Sequence, residues 1–313
     1  MAQTQTASSW KDLPRRIFTV AVGVPSIILL LQNKVTSWLF FQGAHMICLW
    51  EWRALVPPSL SSTATARDGN ASSHLSQYYL MSVFSITSIV ITIMPTSLLP
   101  LALMASSVVL RLIPHLPMCQ NVKSAEYIYL TIQHYQFGLL YLSIGFHFLL
   151  QIAVSDRGAY HIGNLLFVVW MSDTGALICG RMMKSTISQR HTESRHNQKG
   201  FFLMFLKSIS PGKTINGLLG AIITGPISAI LYPRLIHLFD NTIEPDSDSL
   251  AQRATLGFIL ASTGIIGDLA ESSVKRLSTK KDSGKLLPGH GGVVDRFDSM
   301  LSSAVVYYYW LSA

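Results

Sequence analysis

Residues 254–313 read "ATLGFILASTGIIGDLAESSVKRLSTKKDSGKLLPGHGGVVDRFDSMLSSAVVYYYWLSA". Two apolar runs, near 254–270 and 297–313, flank a stretch from Asp268 to Asp298 that holds six Lys or Arg and five Asp or Glu. Apolar segments of helix length joined by a charged turn are the pattern of membrane spans meeting an aqueous loop. The whole chain agrees with this reading. Of its 313 residues, 13% are charged and 49% hydrophobic, where an ordinary soluble domain carries about 25% charged residues. Mean hydropathy is +0.37.

Working outward, seven more apolar segments fall near 17–33, 35–50, 78–95, 97–113, 136–154, 159–178 and 215–235. The fold expected is therefore all-α, a polytopic integral membrane protein with about nine transmembrane helices. Charge in the connections orients it. Between the sixth and seventh segments lie Arg181, Lys184, Arg190, Arg195, Lys199, Lys207 and Lys213 against the single acid Glu193. Between the seventh and eighth lie Asp240, Glu244, Asp246 and Asp248 against Arg253. Loops rich in Lys and Arg stay on the cytoplasmic or stromal side. Counting back places the N-terminus on that side, where Lys11, Arg15 and Arg16 agree, and the 268–298 stretch with it. The organisation expected is a polar basic segment over 1–16, N-terminal helices over 17–170 with a flexible Pro/Ser-rich loop at 56–77, and a catalytic membrane region over 171–313.

Composition also narrows the function. The net charge of +8 is clustered, which suits lipid headgroups or a phosphate-bearing substrate. Nucleic acid is not expected as a partner, because there is no soluble basic domain to hold it. Cys48, Cys119 and Cys179 are far apart in or beside apolar runs, so neither a structural zinc nor a disulfide framework is expected. The opening "MAQTQTASSWKDLP" is too short to identify a transit peptide. It leaves plastid, endoplasmic reticulum, mitochondrial and bacterial inner membranes all open.

Charge recurs where a span should not carry it. Asp173 lies in the sixth segment, Asp268 and Glu271 are three apart at the inner end of the eighth, and Asp295 and Asp298 are three apart at the start of the ninth. A carboxylate at such a site must be paired, hydrated or bound to a metal. Two readings stay open: the acids neutralise nearby Lys and Arg, or they hold a divalent metal while the cations hold phosphate. "SPGKTINGLLG", Ser210 to Gly220, places Lys213 and Thr214 at a helix start, where free N–H groups attract phosphate. It lacks the Walker A spacing. His290, flanked by glycines in "PGHGG", fits a ligand, a base or a hinge equally.

These residues resemble the CDP-diacylglycerol synthase family, the phosphatidate cytidylyltransferases. Its signature, S-x-x-K-R-x4-K-D-x-G-x3-P-x-H-G-G-x-x-D-R-x-D, is met by Ser272, Lys275, Arg276, Lys281, Asp282, Gly284, Pro288, His290, Gly291, Gly292, Asp295, Arg296 and Asp298. "GDLAES" resembles the family's GDxxES element. "SDTGALICGR" resembles D-x-x-A-Y-x-x-G-R, with Asp173, Ala176, Gly180 and Arg181 in place and Leu177 where an aromatic is usual. "SPGKTINGLLG" resembles S-P-K-K-T-x-E-G-x-x-G, except that Asn216 stands where an acid is usual.

The resemblance implies a nucleotidyltransferase that converts CTP and phosphatidate to CDP-diacylglycerol and pyrophosphate in phospholipid biosynthesis. It implies Mg²⁺, as two ions or as one divalent metal with a monovalent cation. Metal ligation is then expected from Asp268 and Asp295, supported by Asp298, Glu271 and Asp173. Lys275, Arg276, Lys281 and Arg296 are expected on phosphates. Asp282 and His290 complete the catalytic set, while Lys213, Thr214, Ser210, Arg181, Gly291 and Gly292 are expected to bind substrate. A homodimer is also expected, as in many polytopic enzymes. A secondary transporter is the main rival, but it would place its acids near the bilayer midplane rather than at one face beside a basic loop. The motif of CDP-alcohol phosphotransferases is absent, and a CTP-dependent lipid kinase would differ in attacking the γ-phosphate.

Overall fold

A computed structural model describes residues 26–27, 29–56, 71–112, 125–188, 206–241, 248–287 and 291–313. Among them there is no strand, only an isolated bridge between Leu287 and Gly291. The chain is an all-α polytopic membrane protein. Its helices are α1 (Lys34–Arg53), α2 (Ala71–Ile93), α3 (Leu99–Leu112), α4 (Ala125–Gly138), α5 (Ile144–Val154), α6 (Gly158–Ser188), α7 (Ile215–Phe239), α8 (Leu250–Leu277) and α9 (Val294–Ser312). A π-helical turn, Leu139–Ser143, joins α4 to α5 in one helical run. Eight of the nine expected segments each fall on one of these helices or on that run; segment 17–33 lies largely outside the described residues. Four of the described helical stretches are long and apolar enough to cross a bilayer: Leu130–Val154, Gly158–Met182, Ile215–Phe239 and Leu250–Leu277.

Two compact units divide the chain. The first is Met1–Ala159 with Leu277–Phe297, and the second is Tyr160–Arg276 with Asp298–Ala313. In the first unit, Asn33 caps α1 by accepting the Val35 N–H at 2.8 Å. The core gathers Phe41, Trp52, Phe84, Leu142 and Phe146, all essentially without exposure. Trp52 stacks on His134, and each also hydrogen-bonds to the other's carbonyl, at 3.4 Å from the indole N–H and 3.1 Å from the imidazole. A buried polar side chain needs a partner. His45 meets Ser88 at 2.9 Å, and Ser88 meets Ser143, the last residue of the π turn, at 2.5 Å. An exposed ion pair of 2.8 Å between Lys34 and Asp156 links the start of α1 to the connection after α5.

In the second unit, α8 opens with a capping box. The Ser249 N–H donates to the Gln252 side chain at 2.8 Å, and the Gln252 N–H to the Ser249 hydroxyl at 3.3 Å. α7 shows how such a chain packs in lipid. Its buried positions are mostly small (Gly217, Gly220, Ala221, Gly225, Ser228, Ala229). Its large residues Leu219, Ile223, Ile227, Leu231 and Leu235 recur every fourth position and are exposed. That is the reverse of a soluble helix: small residues let backbones approach, while the large apolar stripe suits acyl chains. Pro226 and Pro233 lie inside α7, where each removes one backbone donor. Replacing Trp52 with Ala would empty the centre of the first unit. We expect a loss of about 3–5 kcal/mol, read as a lowered unfolding midpoint of the detergent-solubilised protein.

Candidate active site

Three of the motifs singled out in the sequence meet around one cavity of the second unit. Its volume is about 460 Å³, and its walls are Asp173, Ala176, Leu177, Gly180 and Arg181 of α6, Gly212, Lys213, Thr214, Gly217, Leu218 and Ala221 around the start of α7, and Ile265 and Asp268 of α8. Close backbone approach makes this possible. A Cβ at Gly220 would stand 2.6 Å from the Gly175 carbonyl oxygen, so α6 and α7 could not pack this closely with any larger residue there. Thr214 is the N-cap of α7 and accepts the Gly217 N–H at 3.1 Å. The cavity therefore receives a helix N-terminus, with its partial positive charge, beside the Lys213 ammonium.

Asp268 of the cavity wall, Glu271 and Asp298 each offer a carboxylate oxygen within 4.8 Å of the others. α8 supplies the first two, one helical turn apart, and α9 supplies the third. Gly267 lets the two helices touch: a Cβ there would lie 2.5 Å from the Asp298 carbonyl oxygen. Cations and donors surround the group. Lys213 Nζ is 2.6 Å from Asp268 Oδ2, and the Ser272 hydroxyl donates to Asp268 Oδ1 at 3.2 Å. Lys275 Nζ is 2.5 Å from Glu271 Oε2, and the Glu271 side chain is wholly buried. The Ser299 N–H donates to Asp298 Oδ1 at 2.7 Å. Three carboxylates this close repel one another, and two ammonium groups leave a formal deficit of positive charge. Hard oxygen donors with that deficit fit a hard divalent cation.

Other expected residues have different surroundings. Lys275 faces Glu271 rather than open solvent, and Arg276 donates from Nε to the Ile209 carbonyl at 3.0 Å. The amide of Lys213 donates to the Ser210 carbonyl at 3.1 Å, closing the turn that precedes α7. Asp295 belongs to the first unit. There it accepts the Ser283 N–H at 3.0 Å and the Gly292 N–H at 2.8 Å, both on Oδ2. It thus braces the loop around Gly291, whose φ of +82° is one that favours glycine. Lys281, Asp282 and Arg296 are exposed. Pro288 and His290 lie outside the described residues.

One residue escaped the sequence reading. Glu51, near the end of α1, is buried and accepts hydrogen bonds from Ser283, Val293 and Val294. Its signal was present: between residues 13 and 67 it is the sole acid, set directly after an apolar segment.

Comparison with known proteins fits this geometry. The model of the cytidylyltransferase family matches residues 14–192 and 203–313. The chain belongs to the cytidylyltransferase family. It is similar to the phosphatidate cytidylyltransferase of Staphylococcus saprophyticus, with 35% identity over 165 residues, 52% of this chain and 53% of that protein. To the phosphatidate cytidylyltransferase of Haemophilus influenzae it is 32% identical over 159 residues, 49% of this chain and 46% of that one. To the Escherichia coli protein YnbB, described as uncharacterized, it is 43% identical over 104 residues, 33% of this chain and 32% of that one. These alignments span about half the length of the two cytidylyltransferases.

The buried Lys275–Glu271 pair of this family member makes a test independent of activity. Lys275→Met removes the cation from a buried carboxylate, and we expect a loss of about 3–5 kcal/mol in stability. Adding Glu271→Gln to that variant should restore most of it, as measured by thermal unfolding of both purified proteins.

Proposed function

We propose that the chain is a phosphatidate cytidylyltransferase, making CDP-diacylglycerol and pyrophosphate from CTP and phosphatidate. The observation that carries this reading is the convergence of the "SDTGALICGR", "SPGKTINGLLG" and "GDLAES" segments on one cavity lined by Arg181, Lys213 and Asp268, the last of which belongs to the oxygen triad. The named relatives supply the reaction class.

The chemistry then follows from the residues. A phosphate oxygen of phosphatidate attacks the α-phosphorus of CTP, and the bond from that phosphorus to the oxygen bridging to the β-phosphate breaks. Pyrophosphate leaves with the electron pair. The lipid phosphate is anionic at neutral pH, so no protein base is required; positioning and charge neutralisation are the tasks. Lys213 and Arg181, which both line the cavity, bracket phosphate oxygens, and the N-terminus of α7 adds backbone N–H groups. Lys281 and Arg296 of the signature are assigned to phosphates by the resemblance, with Asp282, His290, Gly291 and Gly292 shaping that loop. Asp268, Glu271 and Asp298 would hold Mg²⁺, with Asp173 in support; a metal role for Asp295 is assigned by the resemblance alone. Bound there, a divalent cation offsets the charge of the phosphates as a Lewis acid. Lys275 keeps the buried Glu271 paired.

With purified protein, phosphatidate and Mg²⁺, label from α-³²P-CTP is expected in the organic phase and none from γ-³²P-CTP. Label from the γ position instead would identify a lipid kinase, and an unlabelled lipid under both conditions would end the cytidylyl reading. Mn²⁺ titration followed by electron paramagnetic resonance tests the triad apart from turnover. Asp298→Asn is expected to weaken binding at least tenfold, and unchanged Mn²⁺ affinity would remove Asp298 from the metal site.

A further inference from the structure

Glu51 is 1% exposed, yet both of its carboxylate oxygens are in use. Oε2 accepts from the Ser283 hydroxyl and the Val294 N–H, and Oε1 from the Val293 N–H, each at 3.0 Å. These donors come from the two ends of the segment that carries Gly284, Gly291 and Gly292. The loop presses close to the carboxylate: a Cβ at Gly292 would stand 2.5 Å from Oε2, and one at Gly284 would collide with Oε1. The end of α1 adds two anchors, since the Leu55 carbonyl accepts from the Ser278 hydroxyl and the Ala54 carbonyl from Lys280 Nζ. Asp295 grips the same segment through the Ser283 and Gly292 amides. Ser283 is thus held by two carboxylates at once, through its hydroxyl and its N–H.

We infer that Glu51 is a positioning residue, the mould on which Ser283, Gly284 and Gly292 to Val294 of the signature take the shape that receives the polyphosphate of CTP. This rests on the cytidylyltransferase reading above. The chemistry demands an acceptor on both sides of the side chain. A glutamine of the same shape must turn its NH₂ toward either the Val293 or the Val294 N–H, so a donor always faces a donor. An aspartate keeps both acceptors but is one methylene shorter. A residue that merely anchored α1 would affect the two substrates alike, whereas a mould for the phosphate loop affects the nucleotide alone.

The test compares the full-length protein with Glu51→Gln, Glu51→Asp and Ser283→Ala, the last removing one donor without touching the carboxylate. In Glu51→Gln, KM for CTP is expected to rise tenfold or more, with KM for phosphatidate within twofold of the unaltered protein. Glu51→Asp and Ser283→Ala should fall between the two. Trypsin cleavage after Lys280, Lys281 and Lys285 should quicken at least tenfold in Glu51→Gln. An unchanged KM for CTP in both Glu51→Gln and Ser283→Ala, or an equal rise for both substrates, would overturn the proposal. So would a loop cleaved at the unaltered rate. The trypsin comparison needs no turnover: a protein that labels no lipid would refute the cytidylyl reading while the loop is still tested.

Discussion

A carboxylate among apolar helices has to be met by donors or cations, since leaving it unmet costs several kcal/mol. That single requirement shapes both units. In the second, Asp268 and Glu271 are answered by Lys213 and Lys275. In the first, Glu51 and Asp295 are answered by hydroxyl and backbone donors of the signature loop. The two solutions suit different purposes. Ammonium partners are charges that leave a carboxylate group open to a metal, whereas backbone donors fix the path of a chain. The acids of one unit read as a binding group, and those of the other as a scaffold.

Such an arrangement needs backbones that come close, and a bilayer offers no hydrophobic drive to bring helices together. Small residues take that role. Gly220 admits the Gly175 carbonyl, and Gly267 admits the Asp298 carbonyl. The first joins α6 and α7, the two helices that supply most of the cavity's walls, and the second brings the third carboxylate to the pair on α8. The glycines of these motifs therefore determine where charged groups stand, although they carry no charge themselves.

The helices were legible from apolar segments because each segment must bury or expose its side chains as a block. Their ends were less so. The fifth segment, expected over 136–154, belongs to a helical run that begins at Ala125 and passes through a π turn. Polar residues such as Gln133 and His134 hid that extension, and His134 is accommodated by stacking on Trp52. In the site, Asp268 and Glu271 were legible because a spacing of three places both on one helical face. The partners of Lys275 and Asp295 were not, since a motif reports residue types but not what each one touches. Glu51 was the least legible of all. Its partners lie 232 to 243 residues along the chain, a separation that no local pattern encodes.

Asn216 is the clearest departure from the pattern that the chain otherwise follows, and electrostatics gives it a sense. It falls in the first turn of α7, which contains no acid. The neighbouring Lys213, Thr214 and Gly217 line the cavity. A carboxylate in that turn would neutralise the positive end of the helix and oppose an arriving phosphate, while adding a charged oxygen for a metal. An amide leaves the helix end positive and offers only a neutral carbonyl. The exchange shifts this edge of the cavity from cation binding toward anion binding. In the proposed site, metal binding would then rest on Asp268, Glu271 and Asp298, each of which offers an oxygen within 4.8 Å of the others.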